Sequence, residues 1–171
     1  MSMEQVVTNT GADFVQKAIR AFGYIFIQNT YAKGVKYKLI PKDVITCTIF
    51  CARGYVESTD SETGQRIQDF YTGLMFKNSD FLCKEYDLHA TESAVVYCYD
   101  ETLNDGQQLN LIPVDFPQGQ DITIENGTKI LLCDGVLHIN NVEFTGPSAI
   151  SVTTGDKVAT PQTRCLGLKI G

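Results

Sequence analysis

A mainly β protein, with sheets folded into a sandwich or jelly roll and one short helix in front, is what this chain of 171 residues predicts. Two observations carry that prediction. Short runs rich in β-branched and aromatic residues recur along the chain, separated by Asn-Gly, Asp-Gly, Asn-Asn and Thr-Gly dipeptides that tolerate positive φ and favour tight turns. A pattern in the middle of the chain also returns near the C-terminus with its landmarks in the same order. Ile49-Phe50-Cys51-Ala52-Arg53-Gly54-Tyr55-Val56 answers to Leu131-Leu132-Cys133-Asp134-Gly135-Val136-Leu137, and Phe70-Tyr71-Thr72-Gly73 answers to Glu143-Phe144-Thr145-Gly146. Ala90-Thr91 through Cys98 answers to Ala159-Thr160 through Cys165. From Gly54/Gly135 to Cys98/Cys165 the offset falls steadily, as it does when the first copy carries two insertions, one at the polar tip 59–64 and one over 77–88. Repeats of this size point to paired or stacked β units.

The N-terminal stretch reads as a helix. Thr10 can cap an orphan amide and Asp13 suits the positive end of the helix dipole. Phe14, Val15, Ala18, Ile19 and Phe22 recur at helical spacing, and Gly23 ends the run. Such a helix packs on its own β domain or docks on a neighbouring subunit, and it is too short and too charged to span a membrane. Strands are expected at 24–30, 37–40, 44–51, 55–58, 66–76 and 93–99, then at 121–124, 129–133, 136–140, 149–152 and 164–170. The organisation predicted is one compact unit over 1–171: an N-terminal helix (1–23), a first β unit (24–103), a crossover (104–120) marked by Asn104-Asp105-Gly106, Pro113, Pro117 and Gly119, and a second β unit (121–171).

A net charge of −6 disfavours a nucleic-acid groove, since phosphate binding draws on clustered lysine and arginine. The basic run Lys33, Lys36, Lys38 and Lys42 reads as a lysine-protected strand edge, or else as a docking patch for an acidic partner. Cys47, Cys51, Cys83, Cys98, Cys133 and Cys165 contain no Cys-x-x-Cys knuckle, and no apolar leader preceded by basic residues is evident. A reducing cytoplasm and buried free thiols acting as small hydrophobes are therefore expected. Asn126-Gly127-Thr128 reads as a turn before it reads as a glycosylation site. A Gly-x-Ser-x-Gly elbow and cofactor glycine fingerprints are absent. Cys83 with His89 makes a Cys-His pair on composition alone.

The stretch 121–170 resembles the strand rhythm of cupins: a strand into Asn126-Gly127-Thr128, a strand ending at Asp134-Gly135, a hairpin through Asn140-Asn141, then Gly146-Pro147 and a closing pair of strands. A looser version occupies 44–100. The resemblance implies a cupin-like β-roll, and for cupin enzymes a metal held by a histidine-rich motif with an accompanying glutamate. This chain departs from that motif, having His89 and His138 as its two histidines. Asp87 and His89 can face the same way on a strand with Glu92 nearby, so Asp87, His89 and His138 are the metal-ligand candidates of a two-histidine, one-carboxylate site. Surface or hydrogen-bonded histidines are the plainer reading, and neither cofactor, metal nor catalytic residue is expected. Cyclic-nucleotide-binding domains share the β-roll, but the arginine they need has no counterpart over 84–93.

In texture the chain also resembles small accessory and structural proteins of tailed bacteriophages. The leading expectation is accordingly a non-enzymatic assembly or interaction protein, a phage structural or host-factor-binding component in the host cytoplasm or virion. Its partners would be copies of itself in a homo-oligomer or another protein, with neither nucleic acid nor membrane. A small-ligand-binding cupin-like β-roll and a metal-dependent cupin-type enzyme are the alternatives.

Overall fold

The computed structural model describes residues 5–9, 14–34, 36–41, 47–78, 85–119, 121–122, 124–153, 158–159 and 164–171. The chain divides into two compact units, Met1–Arg20 with Tyr24–Gln107, and Ala21–Gly23 with Gln108–Gly171. Among the described residues, regular structure is antiparallel strand apart from one turn of 3₁₀ helix at Thr102–Asn104. No helix among them is long and apolar enough to cross a membrane.

The first unit holds β1 (Gln5–Asn9), β2 (Phe14–Ala21), β3 (Tyr24–Tyr31), β4 (Lys36–Pro41), β5 (Cys47–Asp60), β6 (Phe70–Tyr71), β7 (Met75–Asn78) and β8 (Tyr86–Asp100). Its axis is the long ribbon β5–β8, in register from Cys47↔Asp100 to Asp60↔Tyr86, with irregularities between Cys51 and Val56. Because β8 is so long, it takes two partners on its other side: its first half pairs β4 (Lys36↔His89 to Leu39↔Tyr86) and its second half pairs β3 (Ile27↔Cys98 to Tyr31↔Ala94). One sheet thereby wraps a core of Tyr31, Tyr37, Leu39, Ile49, Cys51, Val56, Phe70, Leu88, Ala90 and Val96.

The second unit holds β9 (Leu111–Phe116), β10 (Asp121–Ile122), β11 (Lys129–Asp134), β12 (Val136–Ile139), β13 (Val142–Thr145), β14 (Ser148–Ser151), β15 (Val158–Ala159) and β16 (Cys165–Ile170). They form two four-stranded sheets, β10-β15-β12-β13 and β14-β11-β16-β9. Phe116, Ile130, Leu132, Ile150 and Cys165 from one sheet meet Leu137, Ile139 and Val158 from the other, which makes a sandwich core. Burying each large aliphatic side chain there contributes about 1.5–3 kcal/mol.

The sequence repeat is a repeat of strand order. Taken along β4, β8, β5 and β6, the first unit matches β10, β15, β12 and β13; taken along β3, β8, β5 and β7, it matches β9, β16, β11 and β14. The long strands of one unit are thus cut in the other, with Gly135 standing between β11 and β12 where Gly54 bends β5. Gly54 has φ +95° and its Cα side faces Ser93 and Ala94; Gly135 has φ +98° and faces Arg164 and Cys165. A Cβ at Gly54 would lie 2.1 Å from the Ser93 carbonyl oxygen, so glycine is required there by both backbone angle and space. Structural equivalence therefore links Ala94 to Cys165, not Cys98 to Cys165, and sets Ala159 opposite His138 as His89 is set opposite Glu57.

Two expectations are corrected. The N-terminal segment 14–21 is strand β2, not helix. Phe22 (φ 54°) and Gly23 (φ 82°) both have positive φ, forming a hairpin turn of the kind that matches strand twist and folds β2 back onto the edge of β3. Helical spacing of the apolar residues is outweighed by that turn and by what it brings together: Phe14 packs with ring centroids 5.2 Å from Tyr31 and 5.6 Å from Tyr37, and Gln16 hydrogen-bonds Asn29. Thr10 and Asp13, the expected cap, lie outside the described residues. The crossover at 104–120 contains β9, an edge strand paired to β16 alone among the described residues, where Pro113 is tolerated because one side of the strand needs no donor.

Candidate functional site

On the first unit a cleft of about 570 Å³ is lined by Lys36, Tyr37, Lys38, Glu57, Thr59, Asp87, Leu88 and His89. It is built by strand alternation. Tyr37, Leu39, Val56, Leu88 and Ala90 turn inward to the core, so their neighbours Lys36, Lys38, Glu57, Asp87 and His89 must turn outward. Register then aligns them in rows across β4, β8 and β5: Lys36, His89, Glu57 in one and Lys38, Asp87, Thr59 in the next.

The formal charges of the lining cancel, with Lys36 and Lys38 against Glu57 and Asp87. Several of the ionic contacts are long. Lys38 Nζ lies 3.9 Å from Glu85 and 4.0 Å from Asp87, and His89 Nδ1 lies 3.8 Å from Glu57 Oε2. These separations exceed a direct hydrogen bond, and at roughly half-exposed side chains they add little to stability. Among the described residues, Lys38 with Asp87 and His89 with Glu57 thus meet only at long range.

Beyond Glu57 the same sheet face continues. Arg66 Nη1 lies 3.5 Å from Glu57, while Arg66 Nη2 and the Tyr55 hydroxyl both donate to Asp69 Oδ2. The Arg66 guanidinium holds the Asp69 carboxyl below its ordinary range, and the bond to Asp69 pushes the Tyr55 phenol up. Tyr55 pairs across the strands with Tyr71, their rings nearly parallel (25°) with centroids 6.5 Å apart.

Asp87 and His89, singled out from the sequence, both line this cleft. His138 belongs to the second unit, on β12, with Nε2 3.8 Å from Glu143 of β13. Glu92 is exposed further along β8, and Cys83 lies outside the described residues. The sequence puts Lys36 and Lys38 on a protected edge; β4 instead lies between β1 and β8, so they face a cleft, while Lys42 is outside the described residues. Glu57, Thr59, Arg66 and Tyr71 escape sequence reasoning. For Glu57 and Thr59 the signal is the same alternation of polar and apolar residues that marks Asp87 and His89, but only register shows that the alternating faces coincide.

Cys47, Cys51, Cys98, Cys133 and Cys165 are buried free thiols. Burial pushes the Cys51 thiol up to about 12, and a hydrogen bond with Cys98, together with burial, holds the Cys47 thiol protonated. All five are packed in the interior, as expected of small apolar side chains.

No family model matches the chain, and no curated protein matches it in sequence. Solved structures do match it in fold. YhhW from Escherichia coli is similar with a TM-score of 0.50 and 12% identity, over 99% of this chain and 91% of that one. HutD from Pseudomonas fluorescens SBW25 has a TM-score of 0.50 and 8% identity, over 98% of each chain. A cupin 2 conserved barrel domain protein from Leptotrichia buccalis has a TM-score of 0.47 and 10% identity, over 99% and 96%. YhhW and HutD share this fold over nearly the whole chain, and the mainly β, jelly-roll or cupin-like fold class that the strand rhythm suggested stands. The assembly role expected from the sequence, and its bacteriophage setting, draw no support from these structures.

A cupin-like fold raises the question of a metal. Among the described residues, the buried carboxylates are Asp60 and Asp100, at the ends of β5 and β8, while His89 and His138 are both partly exposed. No three His, Cys, Asp or Glu side chains among the described residues are grouped so as to hold an ion. The described residues do not fit a histidine-carboxylate metal site.

Proposed function

We propose that this protein binds a small polar molecule of no net charge on the outer face of its first unit, in the cleft between β4, β8 and β5. The observation that carries this reading is the charge-balanced lining, in which Lys38 and Asp87, and likewise His89 and Glu57, stand too far apart to satisfy one another directly. A compact ligand offering both donors and acceptors gains charge-assisted hydrogen bonds there, each stronger than a neutral one. A strongly anionic or cationic ligand would meet as many like charges as opposite ones. Neither a metal nor a covalent step is required.

The test is a thermal-shift screen with neutral and zwitterionic metabolites, followed by calorimetry of any hit on wild type, Glu57→Ala and His89→Ala. A true ligand at about a hundred times its Kd stabilises the folded chain by about 2.7 kcal/mol. Loss of Glu57 should weaken its binding by about tenfold or more, since hydrogen bonds to charged groups contribute about 1.5–3 kcal/mol. A screen in which nothing stabilises the protein, or a hit that binds both variants as tightly as wild type, would remove the proposal.

A further inference from the structure

The cleft and the tyrosine pair belong to one surface. Tyr55 and Glu57 are alternate residues of β5, so they lie on one sheet face about 7 Å apart. Arg66 joins them, with one nitrogen near Glu57 and the other on the carboxylate that anchors the Tyr55 hydroxyl. Tyr55 is in this way fixed in place, and it lies alongside Tyr71, whose side of the pair is open to solvent at 46% exposure. The surface thus sets the exposed ring of Tyr71 beside a patch of mixed, mutually cancelling donors and acceptors. Ile67, also exposed at 42%, follows directly on Arg66 and adds apolar surface near that edge.

We propose that the ligand is a short neutral saccharide, one ring lying against Tyr71 and the next reaching its hydroxyls into the grid of Glu57, His89, Asp87 and Lys38. This rests on the reading of the cleft given above and goes further by naming the class of molecule. A pyranose has an apolar C–H face and an equatorial belt of hydroxyls that both donate and accept. It therefore asks of a protein an exposed aromatic ring beside planar charged groups that are already oriented. Asp69, Arg66 and Glu57 are oriented by one another before any ligand arrives, which lowers the ordering cost of binding. The spacing between Tyr55 and Glu57 is of the order of one sugar unit. A phosphorylated sugar is not the preferred ligand, because Lys36, Lys38 and Arg66 along the path are offset by Glu57, Asp69, Asp87 and Glu85.

Saturation-transfer NMR and calorimetry on the full chain, with cellobiose, chitobiose and maltotriose as saccharide probes and glycine betaine, glutamine and adenosine as controls, test the proposal. At least one saccharide should bind, with transfer concentrated on its ring C–H protons. Tyr71→Ala should weaken it by about tenfold or more while leaving the far-ultraviolet circular dichroism unchanged, and Glu57→Gln should weaken it as well. Binding of betaine or glutamine with no response from any saccharide overturns the saccharide assignment and leaves the cleft reading standing. Saccharide binding that Tyr71→Ala removes but Glu57→Gln and His89→Ala do not touch overturns the cleft and with it the two-part site. Adenosine bound in preference to all sugars, saccharide binding indifferent to Tyr71→Ala, or no binding by any probe each overturns the proposal.

Discussion

Asp100 should destabilise the folded chain at neutral pH, and replacing it with asparagine should make the protein more stable. The carboxylate ends β8 with 2% exposure. Oδ1 accepts a 2.8 Å hydrogen bond from the Thr102 amide, which starts the 3₁₀ turn, but Oδ2 is buried with no partner among the described residues. Burial pushes the Asp100 carboxyl up from 3.8 to about 6, against the opposing pull of the Thr102 and Leu103 amides. A carboxyl whose pKa is raised by folding holds its proton more firmly in the folded state. The favourable contribution is complete below about pH 4, is lost as pH rises through about 6, and stays lost above it. At about 1.4 kcal/mol for each pH unit, that rise corresponds to roughly 3 kcal/mol.

The Asp100→Asn substitution keeps an acceptor for Thr102 and removes the charge. The expected result is a variant more stable than wild type by about 1–3 kcal/mol at pH 8, the lower figure allowing for an amide group short of an acceptor. Near pH 4 the difference should vanish or reverse. Guanidinium unfolding of both proteins at several pH values measures this, followed by circular dichroism or tyrosine fluorescence because the chain has no tryptophan. Other carboxylates titrate alike in the two proteins and cancel from the difference, including Asp69, whose pKa is shifted the opposite way. A stability difference that stays constant across pH 4–8 would refute the assignment of the cost to this charge.

Two further substitutions test the architecture. Gly54→Ala sets a methyl group against the Ser93 carbonyl oxygen at a positive φ, and should cost at least about 2–3 kcal/mol in denaturant unfolding; a neutral result would mean that β5 does not bend there as described. Asn104 accepts from the Ile25 amide and donates to the Ile25 and Asp100 carbonyls, so Asn104→Ala should cost about 2–4 kcal/mol and speed amide exchange at the start of β3, and unchanged exchange at Ile25 would count against that clasp.

Strand type and repeat order are legible in the sequence because they depend on local chemistry. Asn140 and Asn141, both at positive φ, close the β12–β13 hairpin that their dipeptide announces, and Gly54 and Gly135 mark corresponding bends in the two units. What misleads is alignment by residue identity beyond those glycines. Cys98 matches Cys165 by name, yet Ala94 is the residue that packs under Gly54 as Cys165 packs under Gly135. A small side chain is what that position needs, and alanine and cysteine both supply one. Phe14 to Phe22 misleads for a different reason. Its apolar spacing suits a helix, but Phe22 and Gly23 take the left-handed angles of a hairpin, and the edge of β3 supplies hydrogen bonds that a two-turn helix could not match.

The site is half legible for a physical reason as well. Alternation within a strand is a local property, so Asp87 and His89 can be placed on one face from their spacing alone. Rows across strands depend on register, which is set by distant turns and bulges; Lys36 and Glu57 flank His89 because β4 and β5 flank β8, and nothing in the spacing of those segments states it. A histidine search that follows the chemistry of the resemblance looks for a partner to His89 in His138, which is on the other unit. The partner within reach of His89 is instead Glu57, and Glu57 leads through Arg66 to Asp69 and the tyrosines.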